Sequence, residues 1–232
     1  MIKVVSFEIC PFVQRVTGAL AAKNIPYEIE YINLKNKPQW FLDISPNGQV
    51  PILITESGKT LFESDAIIEY IEDEYGAIEP DVSNEQRALD RAWSYLGAKH
   101  YLAQCSAMSS KDQSTFEQRT SKLMKAFAKV EAVLNQDNLF FKSNELSNVD
   151  IAWLPLLHRA AIVERYTGFD FLSGFPKVKG WQKAIMNLGI VEKTVSSDFE
   201  KRFKDFYLTN TYLADGNNVD QVDECGTTNC CG

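Results

Sequence analysis

The sequence predicts an α/β N-terminal domain followed by an all-α C-terminal domain. Three observations carry this. A strand–helix–strand unit fills roughly the first 30 residues. A hairpin pattern and one more helix follow, up to Gly76. Beyond the polar, proline-containing stretch "AIEPDVSNEQ", apolar residues recur at threes and fours, the period of helices packed on helices. The expected boundaries are 1–77 for the first domain, 78–84 for a linker, 85–210 for the helical domain and 211–232 for a mobile tail containing cysteines.

Each element has a local reason. "MIKVVSF" is a short apolar strand over residues 2–7. From Pro11 the pattern becomes helical, with Val13, Val16, Thr17 and Leu20 on one face. Proline suits the first helical position because its missing N–H would be unpaired there anyway. "AAKNIP" stops the helix, and "YEIEYIN" alternates as a second strand. Residues 35–47 are irregular or a short helix. "QVPIL" and "KTLFE" flank "ESG" as a β-hairpin turning at Gly58, and "SDAIIEYIEDEYG" is a helix with Ser64 as N-cap and Gly76 as stop. The order β-α-β-α-β-β-α is thioredoxin-like in outline.

In the second half, Leu89, Ala92, Trp93 and Leu96 form one apolar stripe, and Phe116 to Leu134 a second. Ser147-x-x-Asp150 opens a long helix that carries Pro155 inside it. Val178, Trp181, Ile185 and Leu188 mark a further helix. Ser197-x-x-Glu200 reads as the capping box of the last helix, which is expected to bury Phe199, Phe203 and Phe206.

Bulk composition narrows the function. Hydrophobic residues make up 45% of the chain and charged residues 24%, ordinary values for a globular protein. A formal charge of −7 argues against a nucleic-acid surface and an anionic membrane partner. There is no secretory signal pattern, and no apolar run of membrane-spanning length. Five scattered cysteines do not make a disulfide framework, so a reducing, cytoplasmic location is expected.

Four places can carry chemistry. Cys10 stands where the first strand stops and the first helix begins. Unpaired N–H groups and the helix dipole favour its thiolate there, the reactive form; otherwise it is a small buried apolar residue. Position 13, where a dithiol pair would have its second cysteine, is Val13, so redox chemistry needs a thiol from a small molecule. In "NGQVPIL" the Val50–Pro51 bond is either cis, turning the main chain of Val50 outward, or an ordinary trans proline at a sheet edge. Ser64 at a helix start suits a carboxylate and Glu63 an ammonium, and an α-amino acid head group carries both charges; the plainer reading is an N-cap. Lys37 lies in a loop where it either meets a second carboxylate or is solvated.

Taken together, "CPFVQRV", "INLKNKPQWF", "NGQVPIL" and "FESDAIIEYI" resemble the glutathione transferases, and among them the omega class. "SNVDIAW" and "FYLTN" fit the helical domain of that superfamily. The resemblance implies a thioredoxin-like, glutathione-binding domain with an all-helical partner. It implies that Cys10 is the nucleophile and forms a mixed disulfide with glutathione. Phe12, Lys37, Val50, Pro51, Glu63 and Ser64 would bind glutathione. Val50 pairs with the cysteine backbone of glutathione, Glu63 and Ser64 hold the γ-glutamyl group, and Lys37 takes the glycine carboxylate. Arg159 and Tyr207 match residues of the second-substrate pocket, against the plainer readings of a surface ion pair and a packing residue. Glutathione would be the co-substrate, no metal is expected, and the partners would be a small hydrophobic or disulfide acceptor and a second copy of the chain.

Two features depart from the omega pattern. No counterpart of the N-terminal extension of many omega enzymes is expected, and Glu200 stands where an aromatic pocket residue is often found. Both bear on the acceptor. Thiol transfer or reduction, of a glutathionylated acceptor or of dehydroascorbate, is the expected activity. A conjugating or lyase enzyme, and a non-catalytic binding module on the same fold, are the alternatives. In the tail, Glu224-Cys225-Gly226 repeats the residue order of glutathione; Cys225, Cys230 and Cys231 are incidental thiols of a solvated tail, a segment that docks in a neighbouring active site, a redox pair or a soft-metal site.

Overall fold

The computed structural model describes residues 1–214. Its first part runs β1 (Ile2–Ser6), α1 (Pro11–Ala22), β2 (Tyr27–Tyr31), α2 (Gln39–Ile44), β3 (Ile52–Ile54), β4 (Thr60–Phe62) and α3 (Ser64–Glu74), the expected order. The four strands lie in the order β2-β1-β3-β4. β1 pairs parallel with β2, because a helix must cross over between them, and antiparallel with β3. Ile2, Val4 and Leu53 on the sheet, Val13, Val16 and Leu20 on α1, and Ile67 and Ile71 on α3 form one apolar layer. The other face of the sheet is covered by Phe41 of α2, which packs with Val5, Ile32 and Ile52.

The second part is helical: α4 (Asn84–Ala98), α5 (Tyr101–Met108), α6 (Gln113–Val133), α7 (Asn148–Thr167), α8 (Pro176–Met186) and α9 (Phe199–Tyr207). α7 is its axis and is buried on almost every face. Its start has the predicted capping box, with Asp150 and Ser147 bonded reciprocally. The Asp150 carboxylate also accepts from the Phe141 amide at 2.8 Å and the Trp181 indole at 2.6 Å, so one buried anion ties three segments together. Gly97 of α4 has to lack a side chain, because a Cβ there would lie 2.9 Å from Nε1 of Trp153.

Four local expectations fail, each through tertiary context. Ser64 is the first residue inside α3 and not its cap; Glu63 holds the cap position at φ 64°. The Ser197 capping box is replaced by Asp198 at the N-cap of α9, where Ser196 Oγ and Arg202 bond the Asp198 carboxylate. Phe206 is exposed, although it edges onto Phe7 and Tyr207, and Leu89 of the first stripe is exposed too. Residues 211–214, placed in the tail, are packed: Leu213 is buried and the Tyr212 amide donates to Ser110 O at 2.8 Å. The tail thiols Cys225, Cys230 and Cys231 lie outside the described residues.

Candidate active site

Cys10 is the N-cap residue of α1, half-buried, at the point where the sheet domain meets α5, α7 and α9. Its amide donates to Phe7 O at 3.0 Å and its carbonyl accepts from Gln14 N at 3.1 Å, which fixes the turn from β1 into α1. Burial pushes its thiol up to about 11. The Val13 and Phe12 amides and the Arg159 charge pull the other way without overcoming it. The expected ionised thiol is therefore corrected for the ligand-free chain: the helix start favours thiolate, but lost hydration costs more.

A polar rim is built where the loop between α2 and β3 meets Lys37, just before α2, and Glu63, at the head of α3. Lys37 Nζ donates to Gly48 O at 2.7 Å. Asn47 Nδ2 donates to Glu63 Oε1 at 2.8 Å. Ser45 Oγ donates to Gln49 O at 3.1 Å and braces the turn, where Gly48 has a φ of 62° that favours glycine. The loop ends in a cis Val50–Pro51 bond. Val50 lies outside the strands, and its main chain makes no hydrogen bond with the rest of the described chain. Val50 and Cys10 pack on the same apolar cluster of Val13, Leu53 and Ile67. Lys37, Val50 and Glu63 thus share one loop-built rim, and Ser64 follows at the buried first turn of α3. Sequence reasoning passed over Asn47, although Asn-Gly marks a turn. It also passed over Arg15, which is buried and pairs with Asp65, locking α1 to α3.

Phe12 points the other way, into the helical domain, where its ring meets that of Tyr101 edge-on at 5.1 Å. Tyr207 is buried beside Phe203 and borders Cys105, and its phenol is raised chiefly by burial. Arg159 is neither a surface ion pair nor exposed to a pocket: it is fully buried, and donates from Nη1 to Gln14 Oε1 and Pro155 O and from Nη2 to Ile9 O at 3.0 Å. Gln14 Nε2 in turn reaches His158 Nδ1 at 2.9 Å and Thr194 Oγ1 at 3.1 Å, so a closed polar network backs the cysteine. Glu200 accepts from Arg165 at 2.7 Å and from the Tyr166 hydroxyl at 2.9 Å, and lines one cavity with His158.

The class that these elements define is a thioredoxin-like domain, with a single cysteine heading its first helix, joined to an all-helical domain. Comparison with known proteins agrees. The models of the glutathione S-transferase N-terminal and C-terminal domains match residues 9–74 and 77–188. The chain is 31% identical over 215 residues to the glutathione S-transferase omega-1 of Sus scrofa, covering 91% of this chain and 88% of that one. It is 29% identical over 190 residues to the glutathione S-transferase DHAR2 of Arabidopsis thaliana, covering 80% and 83%. The crystal structure of glutathione transferase Omega 3C from Trametes versicolor superimposes with a TM-score of 0.71 at 24% identity, over 84% of this chain and 89% of that one. The chain belongs to the glutathione S-transferase family, and its similarity is to members of the omega and DHAR types.

Proposed function

We propose that the protein is a glutathione-dependent thiol transferase or reductase working through Cys10. The observation that carries this reading is a partly buried cysteine at the start of α1, packed on the same apolar cluster as Val50, whose main chain has no hydrogen bond in the described chain. The Cys10 thiolate attacks the glutathionyl sulfur of a mixed-disulfide acceptor, the acceptor leaves as a thiolate, and Cys10 keeps the glutathionyl group as a disulfide. The thiolate of a second glutathione attacks that disulfide, regenerates the Cys10 thiolate and leaves as glutathione disulfide. Val50 pairs with the glutathione backbone. Glu63 and Ser64 hold its γ-glutamyl end, with the first turn of α3 offering N–H groups to the carboxylate. Lys37 exchanges the Gly48 carbonyl for the glycine carboxylate, and Phe12 closes the cleft on the helical side. Tyr207 contributes to the acceptor wall. Dehydroascorbate enters differently: the Cys10 thiolate adds to a carbonyl carbon as a thiohemiketal, the thiolate of one glutathione attacks the Cys10 sulfur and expels ascorbate with the electron pair, and a second glutathione resolves the resulting Cys10–glutathione disulfide.

In this reading the protein works in the cytoplasm as a homodimer, with no metal. Exposed Phe62, Tyr75 and Leu89 offer apolar surface for pairing, and light scattering at twice the chain mass is the expected result. The chemistry is tested by incubating the protein with glutathione disulfide and weighing it. The expected result is a gain of one glutathionyl group at Cys10 that is absent from Cys10→Ser. An unmodified wild-type Cys10, together with no retention on immobilised glutathione, would mean a binding module.

A further inference from the structure

Arg159 is the odd cation of this molecule. Arg15, Lys23, Lys142 and Lys179 are the cations in ion pairs with side chains less than a fifth exposed, and each pairs with a carboxylate. Arg159 is fully buried and has no carboxylate partner among the described residues; its Nε has no partner at all. Its guanidinium carbon lies 5.5 Å from the ring centre of Phe199, and its other donors go to neutral oxygens. One of these is Ile9 O, in the residue before Cys10.

The groups that face this charge are those of the cleft. From α5 come Tyr101 and Cys105, from α9 Tyr207, and from the head of α1 Cys10. His158, next along α7, is buried and kept neutral. Glu8, two residues before Cys10, is already paired with Arg202 at 3.0 Å. Tyr101 and Cys105 are four residues apart on one helix and so share a face. Tyr101 on that face touches Phe12, two residues beyond Cys10. The Cys105 thiol is half-buried like that of Cys10. Of the acidic groups that face Arg159, the Cys10 thiol, at about 11, ionises before the phenols of Tyr101 and Tyr207, which burial raises further.

We propose that Arg159 is a positioning residue that holds the Cys10 turn through Ile9 O and supplies the positive charge against which the Cys10 thiolate forms. The buried guanidinium has no carboxylate among the described residues because the thiolate, once formed, is its counter-ion. The inference rests on Cys10 being the nucleophile.

The test is the rate of alkylation of the full-length protein by iodoacetamide from pH 7 to 11.5, read residue by residue by peptide mass spectrometry. This needs no glutathione, so it succeeds or fails independently of the glutathionyl adduct. Arg159→Met is expected to displace the Cys10 profile by about one unit to higher pH, a roughly tenfold loss of rate at pH 8, with no levelling-off by pH 11.5 where the wild type has begun to bend. Free cysteine alkylated in parallel serves as the reference. Arg159→Lys restores most of the rate. A Cys10 profile unmoved in Arg159→Met overturns the proposal, as does one that is slower but bends at the wild-type pH. If Arg159→Met does not fold by circular dichroism, Arg159→Gln decides, and an unmoved Cys10 profile there overturns it.

Discussion

The two polar groupings that flank Cys10 are built on opposite terms. On the rim, Lys37, Asn47 and Glu63 are partly or fully exposed, and the bonds Lys37–Gly48 and Asn47–Glu63 that join its segments are replaceable by water. Behind the cysteine, Gln14, His158 and Arg159 are buried and bonded across long stretches of chain, from α1 to α7 to the short 3₁₀ turn Val191–Thr194. A rim bond is exchanged with water, so a ligand can take it over at small net cost. A buried bond has no such competitor, and losing one partner strands the other. The first arrangement suits binding. The second suits holding one turn of backbone in place while the rim is being filled.

The sharpest way to break this contrast is Gln14→Leu. The Gln14 amide serves three groups at once: its oxygen accepts from Arg159 and its nitrogen donates to His158 and Thr194. An apolar side chain of similar size leaves them unpaired in a dry interior. The expected loss is about 3 kcal/mol, a fall in Tm of roughly 6–12 °C for a chain of this size. A melting curve within about 2 °C of wild type would show that water reaches this region, and the distinction between rim and backing would fail.

The next effect is smaller and depends on pH. Burial lowers the His158 pKa to about 3, with the Arg159 charge adding to it. In the unfolded chain the ring titrates near 6.5. Below that value the unfolded state takes up a proton that the folded state refuses, so stability falls as pH drops from about 6.5 towards 3 and is fully present above 6.5. Denaturant midpoints at pH 7.5 and 4.5 should therefore separate more in wild type than in His158→Gln, by a factor approaching tenfold in the folding equilibrium per pH unit. Equal separations would mean that the ring is hydrated and charged in the folded protein.

The same contrast explains what was legible in the sequence. The strands, α1, α3 and the capping box of α7 could be read because periodicity and caps are local. The rim was legible for a related reason: "NGQVPIL" and "FESDAIIEYI" are continuous segments in which neighbours in sequence are neighbours in space. The backing was not. Nothing around Arg159 in "LLHRAAI" reveals that it spans to Ile9, 150 positions away, or that no carboxylate waits for it. Cys105 in "YLAQCSAM" reads as a small residue in an ordinary helix until α5 is laid across the head of α1. The thiol of Cys10 shows both halves of the lesson. Its helix start is local and favours the thiolate, while the burial that outweighs it comes from the other domain. Ser64 and Ser197 failed as caps for the complementary reason: a residue one position away with the right backbone angle took the role.

The smallest effect sharpens the contrast from the rim side. Lys37 is half-buried, and its single bond goes to Gly48 O, a carbonyl that water can serve equally well. Lys37→Met keeps the aliphatic stem, which covers the loop, and removes only the charge. Stability should stay within about 0.5 kcal/mol of wild type, as is usual for a surface substitution. The loss appears instead when glutathione is titrated. A charged hydrogen bond to the glycine carboxylate is worth about 1–1.5 kcal/mol in such a setting, so the KM for glutathione should rise roughly five- to tenfold with kcat little changed. That split identifies a group that binds the ground state and the transition state equally. A fall in kcat at constant KM would place Lys37 in the chemistry. A fall in Tm with KM unmoved would assign it to the structure of the loop, and the rim would then be a second scaffold and not a binding surface.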